Sequence, residues 1–355
     1  LILRRLLPAL AVLSLALLAG EWAARRWLQM PRSAWRDPRF GWAQGPGTRF
    51  VQSAEGWGEF RADADGWLDR PLPPPGQGVR AVLLGDSFGQ GLQVKDRERF
   101  TERAEHLLPG LHVLNAAAAG RSGYHHALLA PRVQQAYAPD FLLVQLDDGE
   151  LTDIEDDGAR VLAFQEFGAA APAARGRERG AGALARSLFR RSALLSYLRS
   201  RLERLARQER TRLTLKLAGR QPDRRDLVAL PPTPRAEALL DSLVGEVQAV
   251  NPRLVLVYVP HVHYFASPPV TAYPLRRAWY QELARRRGLP LVDPTDRFLA
   301  DFRAHGEPLH GFVNSRPAEG HVNARGHELL ARELVDVLRR ERRAGSGSHA
   351  GSVAP

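Results

Sequence analysis

A serine set between glycines, directly after a short apolar run, is the first residue of this chain placed to do chemistry. Val79–Gly91 reads VRAVLLGDSFGQG. Ala81–Leu84 has the unbroken apolarity of a fully buried strand, and the run stops at Gly85 before Asp86, Ser87, Phe88 and Gly89. Ligands of open α/β sheets bind beyond the carboxyl ends of the strands, so Ser87 stands where a nucleophile is useful. A serine hydroxyl becomes one when a base takes its proton and donors receive the oxyanion. The same residues also suit a plain strand-to-helix turn in which Ser87 or Asp86 caps the next helix. The far end of the chain tips the balance towards chemistry, because Glu319-Gly320-His321-Val322-Asn323 brings an acid, an imidazole and a helix-capping Asn together.

Elements able to position such groups follow from the pattern after Val79. Apolar strands are expected at Ala81–Leu84, Leu111–Leu114, Phe141–Leu146, Leu254–Val259 and Leu289–Val292. Helices fit around Arg97–Leu108, Tyr124–Ala136, Pro234–Val250, Leu275–Arg287 and Ala324–Arg339. Buried strands alternating with helices predict an α/β fold, a three-layer α/β/α sandwich on a mainly parallel five-stranded sheet. Each strand runs into a polar or glycine segment: Gly85-Asp86-Ser87, Asn115–Gly120, Asp147-Asp148-Gly149-Glu150, Pro260-His261-Val262-His263 and Asp293. That is the composition a site at the sheet's carboxyl edge requires.

The 355 residues, 44% of them hydrophobic, suffice for one large domain with additions. The absence of cysteine excludes disulfides, thiol catalysis and cysteine-based zinc sites. The net charge of +11 comes almost wholly from arginine and is dispersed without interleaved aromatics, which argues against a nucleic-acid partner and suits an anionic lipid surface. Residues 1–26 pair Arg4 and Arg5 with the apolar run Leu6–Gly20 and predict an uncleaved signal anchor, a transmembrane helix. Residues 27–78 form an irregular Pro-, Gly- and Trp-rich arm with short strands, a turn at 61–67 and a stiff linker at 71–78. The domain then spans 79–340, interrupted by a helical insertion at 159–232 that contains the amphipathic stretch 187–208, and 341–355 reads as a disordered tail.

On these blocks the chain resembles the SGNH/GDSL-type hydrolases (esterases and acyltransferases), in their membrane-anchored bacterial form. GDSF places the family's nucleophile on Ser87. Asn115…Gly120 matches the second block and places an oxyanion-hole N–H on Gly120 beside that of Ser87. EGHVNARG resembles the last block, with the base on His321 and its orienting carboxylate on Glu319, the one acid in that loop at a fitting distance. The arm resembles the anchored members at Gly41-Trp42 and Asp65-Gly66-Trp67. The resemblance implies a flavodoxin-like SGNH fold and a Ser-His-Glu triad acting without a cofactor or metal. Its expected substrate is a small-molecule or carbohydrate ester, with the family's O-acetyl group on envelope carbohydrate as the specific expectation. The expected location is extracytoplasmic, the periplasm in a Gram-negative bacterium. One departure stands out: the third block of the family supplies a side-chain amide to the oxyanion, and here Gly149 takes its position. Arg121, His125 or His263 could supply a donor instead. Otherwise the domain is a weak or inactive relative that binds carbohydrate or serves as a scaffold.

The other polar residues near these strand ends are read more plainly. Asp86 reads as structural, since a carboxylate beside the nucleophile would tend to raise the nucleophile's pKa. Asp86, His125, Gly149, Glu150, His261 and His263 are candidates for substrate contact. His261 and His263 alternate onto one side of an extended segment, as a metal pair would, without an evident third ligand. The acidic run from Asp147 to Asp157 reads as a solvated loop whose spacing is not that of an EF-hand.

Overall fold

The computed structural model describes residues 2–27, 34–37, 40–152, 154, 192, 194–195, 197–198 and 231–349. The expected insertion 159–232 and its stretch 187–208 therefore lie almost wholly outside the described residues, as do Asp153, Asp156, Asp157 and the last six residues of the tail.

Five strands, β5 (Val79–Leu84), β6 (Leu111–Asn115), β7 (Phe141–Asp147), β8 (Leu254–Val259) and β11 (Leu291–Val292), form one sheet in the order β11-β8-β7-β5-β6. Every pairing in it is parallel, with Leu83 opposite both Asn115 and Leu143, and Val144 opposite Leu256. The strands are apolar on both faces because helices cover both. On one face Ala81, Leu83, Val113, Leu143, Val255 and Val257 pack against α3 (Phe100–Leu107), α7 (Thr295–His305) and α8 (Ala324–His349). On the other, Val82, Leu84, Val144, Leu146 and Leu256 meet α4 (Gly123–Tyr137), α5 (Pro234–Val250) and α6 (Pro274–Arg287). The three-layer α/β/α sandwich is thus present. Helix α7 is an element the periodicity did not separate from the preceding strand, and α8 runs on through 343–349, which composition assigned to the tail.

The short strands expected in the arm are present and paired. They form two antiparallel hairpins, β1 (Ala34–Asp37) with β2 (Gly41–Gln44), and β3 (Arg49–Gln52) with β4 (Gly58–Arg61). Phe50, Phe60, Ala62, Leu68 and Leu92 make a small core of their own beneath the second hairpin. The expected turn at 61–67 closes on Asp63, whose carboxylate accepts from the N–H groups of Asp65 (2.9 Å) and Trp67 (2.8 Å). The Trp67 indole N–H then donates to Tyr137 on α4 at 2.8 Å, seating the arm on the domain.

The N-terminal residues form α1 (Ile2–Trp27). Among the described residues no helix is long and apolar enough to cross a membrane. The residues Leu6–Gly20 of the expected anchor lie within α1. Beyond them come Glu21, Arg25 and Arg26, and the helix end is fastened to the second hairpin. Arg49 on β3 donates to the carbonyls of Arg25 (2.6 Å) and Arg26 (2.8 Å) and pairs with Glu59 on β4.

Candidate active site

The nucleophile turn follows β5 directly. Ser87 opens a four-residue helix, α2 (Ser87–Gln90), and Asp86 caps it by accepting from the Phe88 N–H at 2.8 Å. Asp86 therefore takes the structural part expected of it. Gln145, buried on β7, accepts from the N–H groups of both Asp86 (2.9 Å) and Gly89 (3.0 Å) and fixes the turn to the neighbouring strand. Gly85 and Gly89 leave room for that amide, since a Cβ on either would fall within 2.8 Å of its oxygen. Asn115 at the end of β6 completes the frame by donating to the Gly89 carbonyl at 2.9 Å.

His321 meets this serine across 234 residues of sequence: its Nε2 lies 2.9 Å from Ser87 Oγ. The carboxylate behind it is Glu55, in the turn between β3 and β4. Glu55 Oε2 is 2.7 Å from His321 Nδ1, and Oε1 accepts from the His321 backbone N–H at 2.9 Å. An ionised carboxylate accepts only, so the Nδ1 proton faces Glu55 and Nε2 keeps a lone pair for the serine proton. Burial alone would raise the Glu55 pKa, but the hydrogen bonds and charge of His321 outweigh it and hold the group below its ordinary value. Glu319 does not take this place, which corrects the sequence expectation. Its carboxylate pairs with Arg316 at 3.4 Å and is 40% exposed. Gly320, at φ 87°, turns the chain between Glu319 and His321, and a side chain there would collide with Glu55. The acid of the loop is thereby sent outward while the arm's acid enters.

Glu55 was missed because it lies in the arm, far from the His321 loop in sequence. The available signal was an acid and a glycine, Glu55-Gly56, set between two short runs able to pair as a hairpin. That turn is itself pinned. Asn314, from the loop before His321, accepts from Gly56 N–H (2.8 Å) and donates to the carbonyls of Gly56 (2.9 Å) and Ser53 (3.3 Å).

The oxyanion side is partly as expected. No described residue accepts from the backbone N–H of Ser87 or of Gly120, and Gly120 adopts φ 81°, a conformation that suits glycine. The loop after β7 supplies no side-chain donor. Asp147 accepts from Gly149 N–H (2.7 Å) and Glu150 N–H (3.0 Å), and Glu150 accepts from Gly123 N–H. Asp148 accepts from the Tyr258 hydroxyl (2.6 Å) and from His261. Burial, with Asp147 nearby, pushes Asp86 up to about 8, and burial likewise raises Asp147.

Of the substitute donors considered, His125 is engaged at the start of α4, where its Nδ1 accepts from the Ser122 N–H at 3.1 Å. Arg121 donates to the Ala116 carbonyl at 2.6 Å. His261 and His263 part company: His261 turns to Asp148, while His263 belongs to β9 (Val262–His263), paired with β10 (Val270–Thr271). Among the described residues one group of metal-ligand types converges, Asp69, Asp96 and Glu102, and the Arg99 guanidinium already sits among them at 3.1, 2.5 and 3.8 Å.

No family model and no curated protein matches the chain. Among solved structures it is similar to a member of the lipolytic protein G-D-S-L family from Veillonella parvula, at 10% identity and TM-score 0.40, covering 74% of this chain and 100% of that one. It is also similar to the psychrotrophic esterase EstA from Pseudoalteromonas sp. (12%, TM-score 0.39, 74% and 99% covered). A third is a catalytic mutant of an acetylxylan esterase from Geobacillus stearothermophilus (14%, TM-score 0.36, 74% and 94% covered). At such identities the chemistry of the site rests on its own geometry.

Proposed function

We propose that this chain is a serine hydrolase of ester bonds, an esterase or acyltransferase, working through Ser87, His321 and Glu55. The observation that carries the reading is the unbroken hydrogen-bonded series from Ser87 Oγ through the imidazole of His321 to the Glu55 carboxylate. In this reading Ser87 Oγ attacks the ester carbonyl as His321 Nε2 takes its proton, and Glu55 fixes the tautomer and stabilises the imidazolium. The N–H groups of Ser87 and Gly120 receive the oxyanion. His321 returns the proton to the leaving alcohol, and water or an acceptor hydroxyl releases the acyl group by the reverse sequence.

The substrate class is an O-acyl ester, with O-acetyl on envelope carbohydrate as the specific expectation. The exposed Leu10, Leu13, Leu17 and Trp22 of α1 support attachment to a membrane through that helix, with the domain on the extracytoplasmic side. A second reading, a binding protein that keeps the fold without turnover, draws on the loop after β7, which carries no amide donor. Hydrolysis of 4-nitrophenyl acetate and covalent labelling by a fluorophosphonate, both lost in Ser87→Ala, are the expected results. Equal blanks for the two chains, with binding of acetylated glycan intact in both, would establish the second reading instead.

A further inference from the structure

The missing amide leaves a chemical question at the oxyanion: the strand end that should carry a donor carries three carboxylates. One donor side chain beside it also meets the nucleophile turn. His261, just past β8, is tied to Asp148 twice, through its backbone N–H (2.8 Å) and through Nδ1 (3.1 Å), both on the same carboxylate oxygen. Asp148 is fully buried and its other oxygen is engaged by Tyr258, so the ring has a fixed seat. The His261 side chain remains 33% exposed. Its ring meets Phe88, the residue after the nucleophile, edge-on at 5.3 Å, and the same Phe88 ring lies 4.7 Å from that of His321. The two imidazoles thus flank one aromatic side chain at the nucleophile turn.

We propose that His261, seated on Asp148, donates from Nε2 to the oxyanion in place of the side-chain amide. This rests on the esterase reading above. As Ser87 Oγ bonds to the acyl carbon, its proton passes to His321 and the carbonyl π pair moves onto oxygen. His261 Nε2–H hydrogen-bonds to that oxygen and keeps its proton, and collapse restores the carbonyl and expels the alcohol. Donation from Nε2 with Nδ1–H on Asp148 requires the imidazolium. The groups around the ring favour it: burial lowers the His261 pKa, but the Asp148 hydrogen bond and the nearby carboxylates of Asp147 and Asp148 outweigh it and raise it above the ordinary value. The remaining neighbours are His310, stacked at 6.4 Å and held neutral by burial, Tyr273, edge-on at 6.0 Å, and Arg276, which lies over Tyr273 and donates to the Asp148 carbonyl.

The test is steady-state hydrolysis of 4-nitrophenyl acetate by the full chain in detergent, across pH, for His261→Leu and His261→Gln. Losing an oxyanion donor should lower kcat by about 10²–10³ in His261→Leu with KM little changed, and the amide of His261→Gln should recover about tenfold or more. The unmutated chain should lose activity at alkaline pH, where Nε2 becomes an acceptor, and His261→Gln should lack that limb. His261→Leu within about threefold of the unmutated kcat overturns the proposal. So does a His261→Gln chain that retains the alkaline limb, and this variant keeps the test open if the leucine fails to fold. Turnover that depends on Ser87 and ignores His261 removes this proposal alone, whereas no Ser87-dependent turnover removes the esterase reading and this proposal with it.

Discussion

Replacing Glu55 by glutamine is the substitution that most directly tests the site. Glu55 and His321 are only 20% and 22% exposed, so water screens their contact weakly. Unit charges about 4 Å apart at an effective dielectric near 20 attract by about 4 kcal/mol. The imidazolium exists only while His321 holds the serine proton, so that attraction lowers the barrier, and its loss amounts to about 10³ in rate at roughly 1.4 kcal/mol per tenfold. The amide adds a second penalty, because its NH₂ can donate to Nδ1 and favour the tautomer with a proton on Nε2, which cannot accept from Ser87. A fall in kcat of about 10³–10⁴ is therefore expected for Glu55→Gln. Glu319→Gln weakens a surface pair with Arg316, worth about 0–1 kcal/mol of stability, and should leave kcat within about twofold. Both are measured as ester hydrolysis near neutral pH, with thermal melts to confirm that each variant is folded. A folded Glu55→Gln keeping more than about a tenth of the activity, or a Glu319→Gln that loses a hundredfold, would refute the assignment of the acid.

Three further outcomes are expected. Asn314→Ala removes the three hydrogen bonds that hold the Glu55 turn, and a small misplacement of a catalytic group can cost about 10² in rate, so kcat should fall with KM unchanged while Asn314→Asp recovers part of it through the Gly56 N–H contact. A KM effect alone would place Asn314 in substrate binding instead. Gly56 adopts φ 62°, and a Cβ there would strike the Gln93 carbonyl, so Gly56→Ala should lower stability by about 2 kcal/mol or more in denaturant titrations; an unchanged midpoint would contradict the packing. Asp86, pushed by burial and Asp147 from 3.8 to about 8, binds a proton in the folded chain that the unfolded chain has released over that interval. Its contribution to stability therefore falls as pH rises from about 4 to 8, by up to about 1.4 kcal/mol per unit, and Asp86→Asn should flatten the profile measured by urea unfolding.

The sheet was legible because its strands are continuous apolar runs that end in glycine or polar residues, a pattern that burial on both faces imposes on the sequence. Ser87 and His321 were legible for the same reason, since each lies next to an element with a strong local signal. Helix α7 was harder to see because Thr295–His305 carries charges at Asp296, Arg297, Asp301 and Arg303, and of its buried residues Thr295, Phe298 and Leu299 only two are apolar. Glu55 was hard to read because its local signal, an acid before a turn glycine, carries no mark of catalysis. Its importance arises from a tertiary contact, and a loop acid two residues before the histidine competed for the assignment. What separates the two acids is backbone conformation at Gly320 and the space that its missing side chain leaves, neither of which a spacing rule contains.

A site of this kind needs atoms at particular positions and is indifferent to which element delivers them. Two of its groups come from segments other than those suggested by spacing: the acid from the arm hairpin, and, on the proposal above, one oxyanion donor from the segment after β8. The hairpin can serve because it is fixed on three sides. Its own small core lies beneath it, Asn314 holds its turn, and Trp57 N–H donates to the Gln93 carbonyl at 2.9 Å just past α2. Its far edge is joined to the end of α1 by Arg49, which pairs with Glu59 and reaches two helix carbonyls. On the proposed function the arm is part of the active site as well as a connection to the helix. Arg49 joins α1 to the far edge of the hairpin, whereas Asn314 holds the Glu55 turn itself. Arg49 therefore bears first on the docking of α1, and the position of the catalytic acid answers chiefly to Asn314 and Gly56.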